Sequence, residues 1–487
     1  MKRFYLLTAL FALTAAGCVK VDLVDISTLP LPENLTVEQT DYTLGAFEKR
    51  TATAAFSAKG DWTLSIVYDD AEAGDETDAD AAWLTADAAG GAAGEQSLGM
   101  SAARNFQAAP RTAYVDLVCG EQTVRLTVTQ TGLSDDMDFS ALFDETFAQK
   151  LQQRGIISDA EKITMQEIQS MAIMTELDIS GTYDNPGSLT SLRGIEYFEA
   201  LTKLNCNRNS LPELDVRANT VLTELRCQNN SLTELDVSQN TKLTTLVCDF
   251  NSLTELDVRA NTALTELWCQ NNSLTELDVS QNTELMYLIC NNNHLALLDV
   301  SQNTELKELC CPGNQLTEVD VSKNTKLTKL SCGFNQLTEL DVSQNTKLTQ
   351  LLCTSNSLES LDVSANTALT ELWCQNNSLT ELDVSKNTKL TRLLCDSNSL
   401  TSLDVSQNTK LTRLLCTSNS LESLDVSANT ALMSLRCEGN PGDGNSVFPL
   451  TVWGDQAEKP GSLNVLQPSW RYNDKYITIQ YQTAPGE

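Results

Sequence analysis

Apolar positions along the chain change period four times. Lys2 and Arg3 precede an apolar run from Phe4 to Ala16, about 13 residues, too short to span a bilayer. Between residues 33 and 131 apolar and polar positions alternate, as in Leu35-Thr36-Val37, Trp62-Thr63-Leu64-Ser65-Ile66, Tyr114-Val115-Asp116-Leu117-Val118 and Val124-Arg125-Leu126-Thr127-Val128. Period two bounded by Gly and Asp predicts strands with one buried face, and several within about 100 residues predict a β-sandwich. From 137 to 172 the spacing is helical: Phe139, Leu142, Phe143, Phe147 and Leu151, then Ile163, Ile168 and Met171. After residue 442 the order of the preceding stretch is lost, and the run Tyr476-Ile477-Thr478-Ile479-Gln480-Tyr481 predicts a closing strand.

The stretch from 201 to 441 is one 21-residue unit written twelve times. Cys206, Cys227, Cys248, Cys269, Cys290, Cys311, Cys332, Cys353, Cys374, Cys395, Cys416 and Cys437 mark it. The pattern is LxxLxCxxNxLxxLDVSxNTx, and it begins at Leu243 in one copy. Leu, Leu and Cys of a short strand, with the Leu, Leu and Val that follow, give six inward positions per unit. No single unit can bury them, so the array is stable only as a stack of neighbours. The asparagines from Asn209 to Asn440 fit a buried ladder that satisfies turn backbone groups. Twelve strands about 4.8 Å apart make a sheet on the order of 58 Å long. Residues 137 to 172 are placed to cover the first repeat, which is read from Met174.

Three resemblances follow from these residues. Leu13-Thr14-Ala15-Ala16-Gly17-Cys18 resembles a bacterial lipoprotein signal, which implies lipidation at Cys18 and a lipid as the only membrane anchor. Gly60-Asp61-Trp62, Trp83-Leu84, Gly90-Gly91-Ala92-Ala93-Gly94, Asn105, Arg111 and Val128-Thr129-Gln130 resemble the BACON module, implying an immunoglobulin-like domain, often carbohydrate-binding. The repeat resembles leucine-rich repeat proteins, with cysteine in place of the third leucine; its form with LDVS and NT looks like the irregular bacterial subclass on surface proteins. The expected organisation is multi-domain: leader 1–17, linker 18–32, immunoglobulin-like β-sandwich 33–131, helical N-terminal cap 132–173, leucine-rich repeat solenoid 174–441 and β C-terminal cap 442–487.

Charge and composition narrow the chemistry. With 65 Asp+Glu against 33 Lys+Arg the net charge is −32, which repels phosphate backbones and argues against nucleic-acid binding. His294 is the one histidine, and it occupies a slot held elsewhere by Ser or Gln, so it reads as a surface variant. With no nucleophile–base pair, metal cluster or phosphate loop in the sequence, the expectation is a non-enzymatic protein with no cofactor and no metal. The insert from Asp69 to Asp80 carries seven acids, but their spacing does not match a calcium loop and a solvated loop is expected. The column cysteines point one way in single file and so read as packing residues rather than zinc ligands or disulfides. Cys310 precedes its column cysteine and is expected to face outward. The Asp column from Asp215 to Asp425 is expected to cap turns.

The informative positions are those that vary. Outward strand sites are the third, fifth and seventh of each repeat, with the eighth at the edge. The third is mostly polar, as with Glu224, Glu266, Lys329, Glu371, Arg392 and Arg413. The fifth is mostly apolar: Val247, Trp268, Ile289, Cys310, Leu352, Trp373, Leu394 and Leu415, with Tyr287, Phe250 and Phe334 nearby. An apolar stripe flanked by charge fits a protein interface, and open-sheet tryptophans also suit sugar stacking. The expectation is a lipid-anchored protein of the outer membrane or cell surface whose concave face recognises a protein or glycoprotein. The alternative is glycan capture, host or mucin glycans included.

Overall fold

The computed structural model describes residues 34–46, 49–69, 82–105, 107–133, 137–184, 186–453, 464–465, 471–472 and 475–483. The expectations for the leader, Cys18, the linker and all but the first residue of the acidic insert lie outside the described residues. The chain divides into two compact units, with the division after residue 135.

Among its described residues the first unit contains nine strands: β1 (Leu35–Val37), β2 (Asp41–Leu44), β3 (Thr51–Ala58), β4 (Trp62–Tyr68), β5 (Leu84–Ala86), β6 (Gly90–Gly91), β7 (Gly94–Ala102), β8 (Arg111–Cys119) and β9 (Gln122–Gln130). They form two sheets, ordered β1-β3-β7-β5 and β2-β9-β8-β4-β6. Alternation dictates the core: Phe56, Leu98 and Met100 of the first sheet join Val115, Leu117, Leu126 and Val128 of the second in one buried cluster. Trp62 and Trp83 are core residues of the same cluster, which takes them away from sugar stacking. Trp62 packs edge-to-face on Phe56 with ring centroids 4.9 Å apart. The Arg111 guanidinium lies 4.6 Å over the Trp83 ring, and its Nε donates to Gln130 Oε1 at 2.8 Å. Gln130, fully buried, donates in turn to the carbonyls of Gly45 and Ala103. Thus Trp83, Arg111 and Gln130 form one network that satisfies loop carbonyls inside the fold. At Gly91 a Cβ would lie 2.8 Å from the Trp62 indole nitrogen, so only glycine permits that approach.

The second unit starts with helices α1 (Glu145–Gln153) and α2 (Met165–Ala172). Asp144 caps α1 by accepting from the backbone of Thr146 and Phe147, and Thr164 with Glu167 makes a reciprocal box at the start of α2. Because the Asp144 cap fixes where α1 begins, Phe139 and Phe143 fall outside both helices and flank a short 3-10 turn, Ser140–Leu142. Phe143 stacks on Tyr197 at 5.4 Å and Phe147 on Phe198 at 6.3 Å, just before the first full repeat.

From Glu176–Asp178 to Ser434–Arg436, thirteen short strands pair in parallel, and Asn464–Val465 adds a fourteenth. The register never slips: Leu204 pairs with Leu225, Leu225 with Leu246, and so on to Leu435. This is a parallel β-solenoid. Each repeat buries its six inward side chains, at most 7% exposed, as in Leu264, Leu267, Cys269, Leu274, Leu277 and Val279. Two asparagine ladders stitch the stack. In the first, Asn272 Nδ2 donates to the carbonyls of Cys248 and Cys269 while its Oδ1 accepts from Leu253 N–H at 3.0 Å. The second runs from Asn219 to Asn429; Asn282 there donates to the carbonyls of Val258 and Asn261. After the stack, Val447–Val452 pairs in parallel with Leu424–Asp425 on one side and Thr478–Thr483 on the other.

Candidate functional site

Parallel register places equal repeat positions on adjacent strands, about 4.8 Å apart. With Leu and Cys inward at the fourth and sixth positions, the third and fifth face outward by the period-two rule. The structure exposes Trp268 by 40%, half-exposes Tyr287, Leu352, Trp373, Leu394 and Leu415, and leaves Arg392 and Arg413 exposed. Trp268 stands between Val247 and Ile289, and Trp373 between Leu352 and Leu394. Two apolar patches of four rungs each result, separated by Ser331.

Cys310 lies on the outward side, as alternation leads one to expect, but its thiol is covered. It is only 9% exposed. Lys329 Nζ donates to Glu308 Oε1 across the rung, and the Cys310 thiol donates to the same oxygen at 3.3 Å, so the ion pair covers the sulfur. Val247, 4% exposed, is also covered. Other cross-rung pairs, Lys203 with Glu176 at 2.7 Å and Arg392 with Glu371 at 3.4 Å, are solvent-exposed and contribute little to stability.

The eighth position is left-handed, with φ of 56° at Asn229, 51° at Phe250, 56° at Asn271 and 53° at Phe334, and with glycine at 313 and 439. Asn and Gly tolerate this region; Phe pays a steric penalty for it. Nevertheless Phe250 is 52% exposed and Phe334 61%, so little burial offsets that penalty. Replacing Phe334 by Asn is expected to stabilise the protein by about 1 kcal/mol, read as a melting temperature about 2–4 °C higher. A lower melting temperature would mean that packing holds the ring.

The turn side is chemically quieter. Asp236 Oδ1 accepts from Ser238 N–H at 2.9 Å, and the same Asx turn recurs down the column. At Asp257 the Arg259 guanidinium adds a bidentate pair and holds the carboxyl down at about 2. A groove on this side is lined by Glu213, Glu234, Glu255, Glu276 and the exposed Leu297. None of the aromatic residues of the sheet face reaches it.

All described cysteines are buried free thiols. Burial pushes Cys206, Cys269 and Cys353 up to about 12, and raises the rest of the column likewise. Such thiols are neither nucleophiles nor metal ligands at neutral pH. No group of three or more His, Cys, Asp or Glu side chains able to hold a metal exists among the described residues.

Comparison with known proteins accords with this geometry. A family model described as the viral BACON domain matches residues 34–133. The functional domain of InlJ from Listeria monocytogenes, described as including a cysteine ladder, is 35% identical. The match covers 65% of this chain and 82% of that one, with a TM-score of 0.51. The chain belongs to the leucine-rich repeat family. YopM, a leucine-rich effector protein from Yersinia pestis, is 23% identical over 61% of this chain and 81% of its own, with a TM-score of 0.47. No curated protein matches the sequence. Leucine-rich repeat solenoids are interaction scaffolds, presenting an extended surface built from the variable positions of each rung. No enzyme family is indicated for this one.

Proposed function

We propose that the chain is an exported protein, lipid-anchored at Cys18 on the outer membrane or cell surface. In this reading residues 18–32 and an immunoglobulin-like sandwich, 33–131, hold off a solenoid capped by 132–173 and 442–487. The solenoid, 174–441, recognises a protein or glycoprotein through its sheet face. The exposed Trp268 carries the reading, because a large indole on an open strand contributes nothing to the stack and is the side chain most enriched at interface hot spots. Polar neighbours at the third position, Arg392 and Arg413 among them, supply the rim.

Trp268→Ala and Trp373→Ala test it. Together they are expected to weaken capture of the partner from host or mucin extracts at least tenfold while leaving the melting temperature within about 1 °C; undiminished capture moves the site elsewhere. A second reading, glycan capture, draws on the adjacent Trp268 and Tyr287 rungs, which offer rings for sugar stacking. Enzymatic deglycosylation of the extract separates the two, since only glycan recognition is lost with the sugar. Mass spectrometry of the mature protein tests the anchor: a diacylglyceryl-modified Cys18 is expected, and an unmodified N-terminus refutes it.

A further inference from the structure

Just beyond the strands, the seventh repeat position brings Gln228, Asp249 and Gln270 side by side. Asn229 N–H donates to the Asp249 carbonyl and Phe250 N–H to the Gln270 carbonyl, both at 3.0 Å, so the backbone ladder continues through this row. Each of the three residues presents a buried oxygen that accepts no hydrogen bond: Gln228 Oε1, Asp249 Oδ1 and Gln270 Oε1. Asp249 is only 6% exposed. A buried carboxylate oxygen lacking a donor is costly, and the repeat does not require one, since other rungs carry Asn207, Gly333 or Thr354 at this position. Arg208 is the cation whose field reaches Asp249, but its guanidinium lies over the Tyr183 ring at 5.5 Å. Burial raises the Asp249 carboxyl to about 6, as expected of a carboxylate removed from water.

Two exposed rings occupy neighbouring positions of the same rungs. Trp268 precedes Gln270 by two residues on the same rung, and Phe250 follows Asp249 directly, held outward by its left-handed backbone. One carboxylate, two orphan amide oxygens and two aromatic faces make a receptor for a planar cation that carries several N–H donors. We propose that an arginine side chain of the protein partner docks here, its plane lying against Trp268 or Phe250 and its guanidinium turning aside the half-buried Gln228 and Gln270 side chains to donate to the Asp249 carboxylate and to their amide oxygens. A looser copy of the arrangement recurs five rungs on, where Gln375 Oε1 and the Trp373 indole N–H are both buried without partners and Asp396 occupies the next rung. The inference rests on the sheet-face reading and names the chemistry that reading leaves open.

The probe is N-acetyl-arginine methylamide, added to the full chain carrying ¹⁵N-labelled tryptophan and followed by indole N–H resonances. A saturable shift of the Trp268 signal is expected, at least tenfold weaker with N-acetyl-citrulline methylamide, which keeps the shape and loses the charge. Asp249→Asn is expected to weaken arginine binding at least tenfold, with a melting temperature unchanged or raised, because it removes a buried charge. Asp236→Asn, on the turn side, leaves binding unchanged. Equal shifts from arginine and citrulline, or undiminished binding by Asp249→Asn, overturn the proposal. Should Asp249→Asn misfold, Phe250→Ala with Trp268→Ala removes the rings instead, and retained arginine binding then overturns it. Partner capture that depends on Trp268 beside an arginine probe indifferent to Asp249 removes this subsite alone; arginine binding at Asp249 with capture indifferent to both tryptophans removes the sheet-face reading alone.

Discussion

Under reducing conditions the solenoid is expected to unfold between about pH 9 and 10.5, in one steep and reversible transition, while the first unit remains folded. The cause is the cysteine column. A buried thiol binds its proton more tightly than the same thiol in the unfolded chain, whose value is near 8.5. Its stabilising contribution is therefore whole below that value and is lost as pH rises toward the folded one, pushed up to about 12 at Cys206, Cys269, Cys353 and Cys437. Each thiol loses about 1.4 kcal/mol per pH unit in that window. Twelve in one stack lose about 17 kcal/mol per unit, more than the whole net stability of a typical domain, about 5–15 kcal/mol.

Circular dichroism against pH checks this, and the steepness of the transition counts the protons released. The first unit contains one described cysteine, Cys119, and so serves as an internal control. Valine at 290, 332 and 353, close in volume to cysteine, is expected to move the midpoint upward and make the transition shallower. A solenoid that keeps its native spectrum at pH 11 would show that the column is not the burden described.

The solenoid was legible in the sequence because one rare residue marks its period. Cysteine recurs every 21 positions from 206 to 437, and the six inward columns can be counted from it. The Asp column was also readable as turn chemistry, since Asp followed by Ser two residues later is a local motif. What escaped depends on contacts between rungs. The eighth position read as a strand edge, although Asn229, Asn271, Asn292, Gly313 and Gly439 already hinted at a left-handed backbone. Phe250 and Phe334 masked that hint, because phenylalanine is the residue such a site selects against. That each asparagine from Asn219 to Asn429 donates to a carbonyl 24 residues earlier is a fact about stacking. Nothing in the sequence sets Asp249 apart from the other polar residues at the seventh position; its enclosure is visible only in the stack. The cover over Cys310 escaped for a related reason, since the rule of alternation gives a direction and not the Lys329–Glu308 pair above it.

The same stacking makes one atom decisive in the middle of the array. Asn314 donates from Nδ2 to the carbonyls of Cys290 and Cys311 at 3.1 and 3.0 Å, and its Oδ1 accepts from Leu295 N–H at 3.0 Å. Asn314→Asp keeps the shape and the acceptor but turns the double donor into a second oxygen. The Cys290 carbonyl keeps its bond from Asn293 and the Cys311 carbonyl its bond from Asn335, but both then face a buried carboxylate, at about 3–5 kcal/mol for an uncompensated charge. The expected loss is about 4–6 kcal/mol by denaturant titration at pH 7. Asn314→Ala, which removes one of two donors from each carbonyl and leaves the Leu295 N–H without its acceptor but adds no charge, should cost less, about 3 kcal/mol. Protonation restores one donor to the aspartate, so the gap between the two variants should narrow as pH falls toward 4. Because each rung touches only its neighbours, the damage should also be local: hydrogen exchange rises around rungs 290 to 335, while those near 206 and 416 retain their protection. An Asp variant as stable as the Ala variant at pH 7 would mean that the asparagine column fills space rather than pairing the backbone, and the ladder would have to be understood as packing alone.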